Sequence, residues 1–191
     1  MGKIILCRGK KADTPLTVLQ TGVKLYTAEE LCYYIYNNIY LIGQDFIDDN
    51  LISFLDETGE KELAERVRKL KETGGSLAQI FVIILKTIDY YSVAEIEQLR
   101  EILNTLGKQS VCERLKARGD GYLNAGYYFA AVRCYESIIK DYKGKDLLAA
   151  DYAKVYHNLG TAYARMFMYD KAVIYYDEAY RTGQHEESKK C

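Results

Sequence analysis

The chain has 191 residues, of which 49% are apolar and 28% charged, and its net charge is −1. That composition belongs to one mid-sized or two small globular domains and excludes disorder and low complexity for most of the length. A single proline against 14 glycines points to helices rather than an all-β fold, and the near-neutral balance excludes a global electrostatic case for nucleic acid.

Residues 1–26 carry a net charge of +4. Only Ile4, Ile5 and Leu6 are consecutively apolar before Cys7, too short a run for a secretory leader. Lys3–Cys7, Leu16–Gln20 and Val23–Tyr26 read as short strands split by turn residues, a small β-hairpin or flap that has to lean on helices. Arg8, Lys10 and Lys11 fall in its loop and read as a solvated loop rather than an anion site.

Residues 27–110 carry −7 and read as helical. Thr27-Ala-Glu-Glu30 is a capping box that opens a helix to about Ile42, with Leu31, Ile35, Ile39 and Ile42 on one stripe. Asp45 to about Thr58 reads as a second helix stopped by Gly59, and Glu60–Thr73 as a third stopped by Gly74-Gly75. Ser76-Leu-Ala-Gln79 caps a fourth, with Ile80 to Leu85 as its core. Ser92-Val-Ala-Glu95 caps a fifth, stopped at Gly107. The longest apolar stretch, Leu77–Leu85, includes Gln79 and is too short to cross a bilayer, so no membrane association is expected. Cys7, Cys32, Cys112 and Cys134 read as reduced packing residues and Cys191 as an exposed terminal thiol, which places the chain in the cytoplasm.

Residues 111–191 carry +2 and contain an internal repeat. Counted from Ala153, positions 4, 7, 8, 11, 20, 24 and 27 hold Tyr156, Leu159, Gly160, Tyr163, Ala172, Tyr176 and Ala179. Counted from Cys112, they hold Leu115, Arg118, Gly119, Tyr122, Ala131, Tyr135 and Ile138. The small residues at 8 and 20 allow two helices to approach, and the large ones fill the groove between them. With these residues, the segment of about 112–184 resembles the tetratricopeptide repeat (TPR) family. Tyr156 stands where Trp is usual, and an insertion around Lys143–Ala150 lengthens the link. Residues 27–110 match no family motif, and 185–191 read as a frayed tail.

The resemblance implies an all-α fold of helical hairpins stacked into a right-handed solenoid, with the β-hairpin as an appendage. It implies a groove lined by the first helix of each repeat, at Lys116, Asp120 and Asn124 and at Lys154, His157, Asn158, Thr161 and Arg165. Lys116, Lys154 and Arg165 would make that groove locally positive. Family members that clamp a terminal carboxylate use Lys and Asn at two positions that Lys116 and Asn158 match. Asp120 replaces a further Asn, and an acid there repels a carboxylate.

The residue types for catalysis are sparse. His157 has no acid, cysteine or serine placed beside it in sequence, and His185 lies in the tail. The acids from Asp45 to Glu60 lack the spacing of a calcium loop, and Arg8-Gly-Lys-Lys is no phosphate loop. No metal or cofactor and no enzymatic activity are expected. The expected function is non-catalytic binding of a peptide or protein segment. The alternative is an assembly protein that self-associates or docks through Tyr-rich faces. Tyr128, Tyr142, Tyr152, Tyr169, Tyr175 and Tyr180 lie off the repeat core, and a share of them is expected to meet a protein. Val173, Ile174 and Tyr180 on the last helix are the stripe left over for self-association, as a homodimer.

Overall fold

The computed structural model describes residues 7–142 and 147–183. The expected strand at Lys3–Cys7 (Cys7 apart), the tail, His185 and Cys191 lie outside them. The described residues form nine α-helices and one two-stranded sheet, and none of those helices is long and apolar enough to cross a membrane. The fold is all-α. The chain divides into two compact units, Met1–Lys108 and Gln109–Cys191.

In the first unit the β-hairpin is much shorter than expected. Strands β1 (Leu16–Thr17) and β2 (Lys24–Leu25) pair antiparallel, Leu16 opposite Leu25. Leu16, Val18 and Leu25 are buried in the same core as the helices, so the flap is part of that core. Helix α1 (Ala28–Asn37) starts at the expected box: Thr27 Oγ1 accepts the Glu30 N–H at 3.2 Å, and the Glu30 carboxylate accepts the Thr27 N–H at 3.2 Å. It ends five residues before Ile42. The Asn37 and Asn38 side chains donate to the carbonyls of Tyr33 and Tyr34, and so satisfy the last turn.

The expected Asp45–Thr58 helix is broken. A 3₁₀ turn spans Gln44–Phe46, and α2 (Asp49–Glu57) begins only where Asp48 caps it through the Leu51 N–H at 2.9 Å. Helices α3 (Lys61–Glu72) and α4 (Leu77–Ile88) follow, joined by Gly74 at φ +73°. The Gly75 N–H closes back on the Leu70 carbonyl at 2.7 Å, so the double glycine ends α3. Helix α5 (Val93–Lys108) runs through Gly107 rather than stopping there. Helix α4 packs on α1, α3 and α5, and its Ile80, Phe81, Ile84 and Leu85 are fully buried.

Arg8, Lys10 and Lys11 are exposed, as expected of a solvated loop, while the loop's backbone is anchored. The backbone N–H groups of Arg8 and Gly9 donate to Glu29 Oε1 at 2.7 and 2.8 Å. Burial alone would raise the Glu29 pKa, but these bonds and one from Thr27 bring it below the usual carboxylate value.

The second unit holds α6 (Val111–Asn124), α7 (Tyr128–Asp141), α8 (Ala149–Arg165) and α9 (Tyr169–Gly183). A further capping box, Ser110-Val-Cys-Glu113, opens α6. Helix α6 packs on α7, α8 on α9, and α7 on α8.

The two hairpins repeat one another at an offset of 41 residues. The Tyr127 N–H donates to the Tyr122 carbonyl at 2.9 Å, and the Met168 N–H to the Tyr163 carbonyl at 2.9 Å. The turn residue between the helices has positive φ in both: Gly126 at +81° and Phe167 at +61°. Gly119 and Gly160 let a tyrosine ring of the partner helix lie against the backbone. A Cβ on Gly119 would come within 2.6 Å of Tyr135 Cε1, and one on Gly160 within 2.9 Å of Tyr176 Cδ1.

Candidate functional site

Of the residues expected to line a groove, Lys116 and Asp120 of α6 and Asn158 of α8 are brought into contact. On α8, Lys154, Asn158, Thr161 and Arg165 follow the spacing of one helical face. Asn158 ties that face to α6: its Nδ2 donates to Asp120 Oδ1 at 2.8 Å. The Tyr135 hydroxyl of α7 donates to the same oxygen at 2.6 Å, and Lys116 Nζ donates to Oδ2 at 2.9 Å. One carboxylate thus joins three helices and takes three donors. Burial, then the bond to Asp120, holds the Tyr135 hydroxyl far above its ordinary pKa, so it stays protonated and remains a donor.

The second hairpin has a parallel contact. Thr161 Oγ1 and the Tyr176 hydroxyl lie 3.1 Å apart, at the positions of Asp120 and Tyr135. The His157 ring sits 5.2 Å from that of Tyr176. His157, Asn158 and Thr161 are half-buried, while Asn124, Lys154 and Arg165 are exposed.

The positive groove is therefore reduced. Lys116 is paired with Asp120, and Lys154 Nζ lies 3.4 Å from Asp151, which leaves Arg165 exposed at the last turn of α8. The two residues that match a carboxylate clamp, Lys116 and Asn158, are both bound to the chain's own acid. Sequence reasoning read Asp120 as a repelling charge. It did not foresee that the acid fills the site with three internal bonds.

A second polar cluster, which the sequence reading missed, lies between α7 and α8. The Tyr163 hydroxyl donates to Glu136 Oε1 at 2.9 Å, and Lys140 Nζ to Glu136 Oε2 at 2.8 Å. The Lys140 bond, against some burial and with help from Tyr163, holds the Glu136 carboxyl below its usual range. Tyr175 of α9 stacks on the Tyr163 ring at 5.4 Å, and Lys171 Nζ lies 5.1 Å from its centre. The i, i+4 spacing of Glu136 and Lys140 was the available signal.

The off-core tyrosines divide by burial. Tyr152 is buried and donates to the Tyr142 carbonyl at 2.6 Å; Tyr128, Tyr142, Tyr175 and Tyr180 are half-buried; only Tyr169 of the six is exposed. The leftover stripe on α9 is thereby narrowed to Val173 and Ile174, which are 61% and 59% exposed.

Among the described residues no cluster of three or more His, Cys, Asp or Glu is placed to hold a metal. In the first unit an open cleft of about 670 Å³ runs along α3, α4 and α5, lined by Leu70, Val82, Ile83, Lys86 and Arg100 among others. Arg100 is engaged by Glu97 at 3.3 Å. Comparison with protein-family models, with curated proteins and with solved structures found no match to this chain.

Proposed function

We propose that the protein is a non-catalytic interaction module of the cytoplasm, and that its second unit is a pair of TPR-type hairpins forming part of a right-handed solenoid. Its ligand is a peptide or protein segment laid along the shared face of α6 and α8. The observation that carries this reading is the Asn158–Asp120–Tyr135 junction, which ties one polar face of α8 to α6. Exposed or half-exposed groups of differing chemistry, His157, Lys154, Arg165 and Asn124, surround it.

A free carboxylate is the wrong ligand for this face, because it would have to displace Asp120 from three donors. The ligand is an uncharged or sparsely acidic segment read by hydrogen bonds, with one acid near Arg165. We infer no metal, cofactor, nucleic acid or membrane requirement. The exposed Val173 and Ile174 favour a further role, docking within a larger assembly.

The test is capture from a lysate of the source cells by the immobilised full chain, against the double variant His157→Ala, Arg165→Glu. Proteins held by the native chain and lost by the variant, more weakly held at high salt, are the expected result. An identical captured set from both chains sinks the groove reading.

A further inference from the structure

The cleft in the first unit sets an aliphatic strip beside a group of hydrogen-bond donors. Gln79, Val82, Ile83 and Lys86 follow one face of α4 at i, i+3, i+4 and i+7, and all four line the cleft. The opposite face, with Ile80, Phe81, Ile84 and Leu85, is fully buried. Val82 and Ile83 are half-buried and, with Leu70 of α3, supply most of the apolar lining. Arg100 of α5 lines the same cleft. Gln79 and Lys86 lie two turns apart on α4, about 10 Å along its axis, with the aliphatic pair between them.

The polar part of the lining is rich in donors. In the capping box of α4, Ser76 Oγ accepts the Gln79 N–H at 3.2 Å, and Gln79 Oε1 accepts the Ser76 N–H at 2.8 Å. The box engages those acceptors and leaves the Ser76 hydroxyl proton and the Gln79 amide protons as what the two side chains offer a ligand. Lys86 is exposed. Arg100 Nη1 lies 3.3 Å from Glu97 Oε1, but both side chains are about half exposed, and such a surface pair opens at little cost. Among the described residues that line the cleft there is no carboxylate, although residues 27–110 carry −7 overall. The cleft therefore reverses the sign of its surroundings.

We propose that this cleft binds a small organic anion with an aliphatic body, a medium-chain carboxylate. Its head group takes the Lys86 ammonium and the Arg100 guanidinium, and its chain covers Val82 and Ile83. Three observations choose this ligand. Two cations and neutral donors complement an acid and repel an ammonium. The volume of about 670 Å³ lies within the range of small-molecule sites. The half-buried strip on α4 is a single aliphatic pair, which suits an alkyl chain, whereas a docked helix needs an apolar stripe over several turns. The site belongs to the first unit and stands without the groove of α6 and α8.

The test is titration of the isotope-labelled full chain with octanoate, followed by amide NMR. Saturable shifts are expected in α4 and α5, weaker at high salt. Acetate, which has the head group without the chain, should bind at least about tenfold more weakly, because it covers none of the strip. Octylammonium, which has the chain with the opposite charge, should also bind at least about tenfold more weakly. The double variant Lys86→Glu, Arg100→Glu should lose octanoate by about tenfold or more and gain octylammonium. Both side chains are exposed, so the core is untouched, and the gain of octylammonium shows that the variant keeps a folded cleft. Absence of shifts in α4 and α5 overturns the proposal. So does equal binding of octanoate and octylammonium by the native chain, or octanoate affinity that survives the double charge reversal.

Discussion

Two helical glycines should respond oppositely to the same substitution. Alanine in place of glycine inside a helix gains about 0.5–1 kcal/mol from lost unfolded-state freedom. At Gly107 in α5 an added Cβ meets nothing within 4 Å, so Gly107→Ala should stabilise the first unit by about that amount. At Gly160 the same Cβ would lie 2.9 Å from Tyr176 Cδ1, 3.0 Å from Cε1 and 3.2 Å from the Ala172 carbonyl oxygen. The ring is 8% exposed and its hydroxyl is engaged by Thr161, while the carbonyl is backbone; the easiest relief is for α9 to move away from α8. Overpacking of this kind costs about 1–3 kcal/mol, which outweighs the helix gain and leaves Gly160→Ala destabilising by about 1 kcal/mol or more. Gly160→Leu should cost more still. Because the chain has two compact units, a single melting curve would blend them. Hydrogen exchange resolved by peptide reads α5 and α8 separately and reports each free energy. If Gly160→Ala slows exchange in α8 as Gly107→Ala does in α5, the close approach of α8 and α9 is refuted.

Two further outcomes follow from particular residues. Phe167 holds φ +61° where the first hairpin has Gly126, and its side chain is 78% exposed, so little packing offsets the strain. Phe167→Gly should therefore stabilise the second unit by about 1 kcal/mol, read as slower amide exchange in α8 and α9, and faster exchange there would contradict the turn geometry. Glu136 has its folded pKa held below the ordinary value of 4.5 by Lys140 and Tyr163. The stability this gives is complete above that value and is lost as pH falls towards the depressed folded pKa. The free energies of α7 and α8 from peptide-resolved exchange between pH 6 and pH 3 should fall less steeply in Glu136→Gln than in the native chain, and parallel slopes would remove Glu136 from that account.

Local signals placed most of the helices. The boxes at Thr27–Glu30, Ser76–Gln79 and Ser92–Glu95 form the bonds their spacing implies, because a cap is made by residues three apart. The repeat register was legible for the same kind of reason: a small residue facing a tyrosine is needed wherever two helices touch, and Gly119 with Tyr135 and Gly160 with Tyr176 occupy those places. The break between Gln44–Phe46 and α2 was less legible, because hydrophobic period continues across it while Asp48 competes as a cap.

Charge and exposure were decided by tertiary structure. The repeat resemblance implies a positive groove at Lys116, Lys154 and Arg165, but whether a cation faces a ligand depends on what lies one helical turn away and on the next helix. Asp120 sits one turn from Lys116 in sequence, yet its bonds to Tyr135 and Asn158 span 15 and 38 residues. The same holds for the tyrosines, where Tyr152 is buried with its hydroxyl bonded to a carbonyl ten residues away and Tyr169 is exposed. Val132 and Val173 occupy one position of the repeat and differ from 7% to 61% in exposure, and α7 packs between two helices while α9 packs on α8. Periodicity specifies which faces a helix has, and only the packed chain determines which of them are already taken, because burial and pairing are properties of the neighbours rather than of the residue.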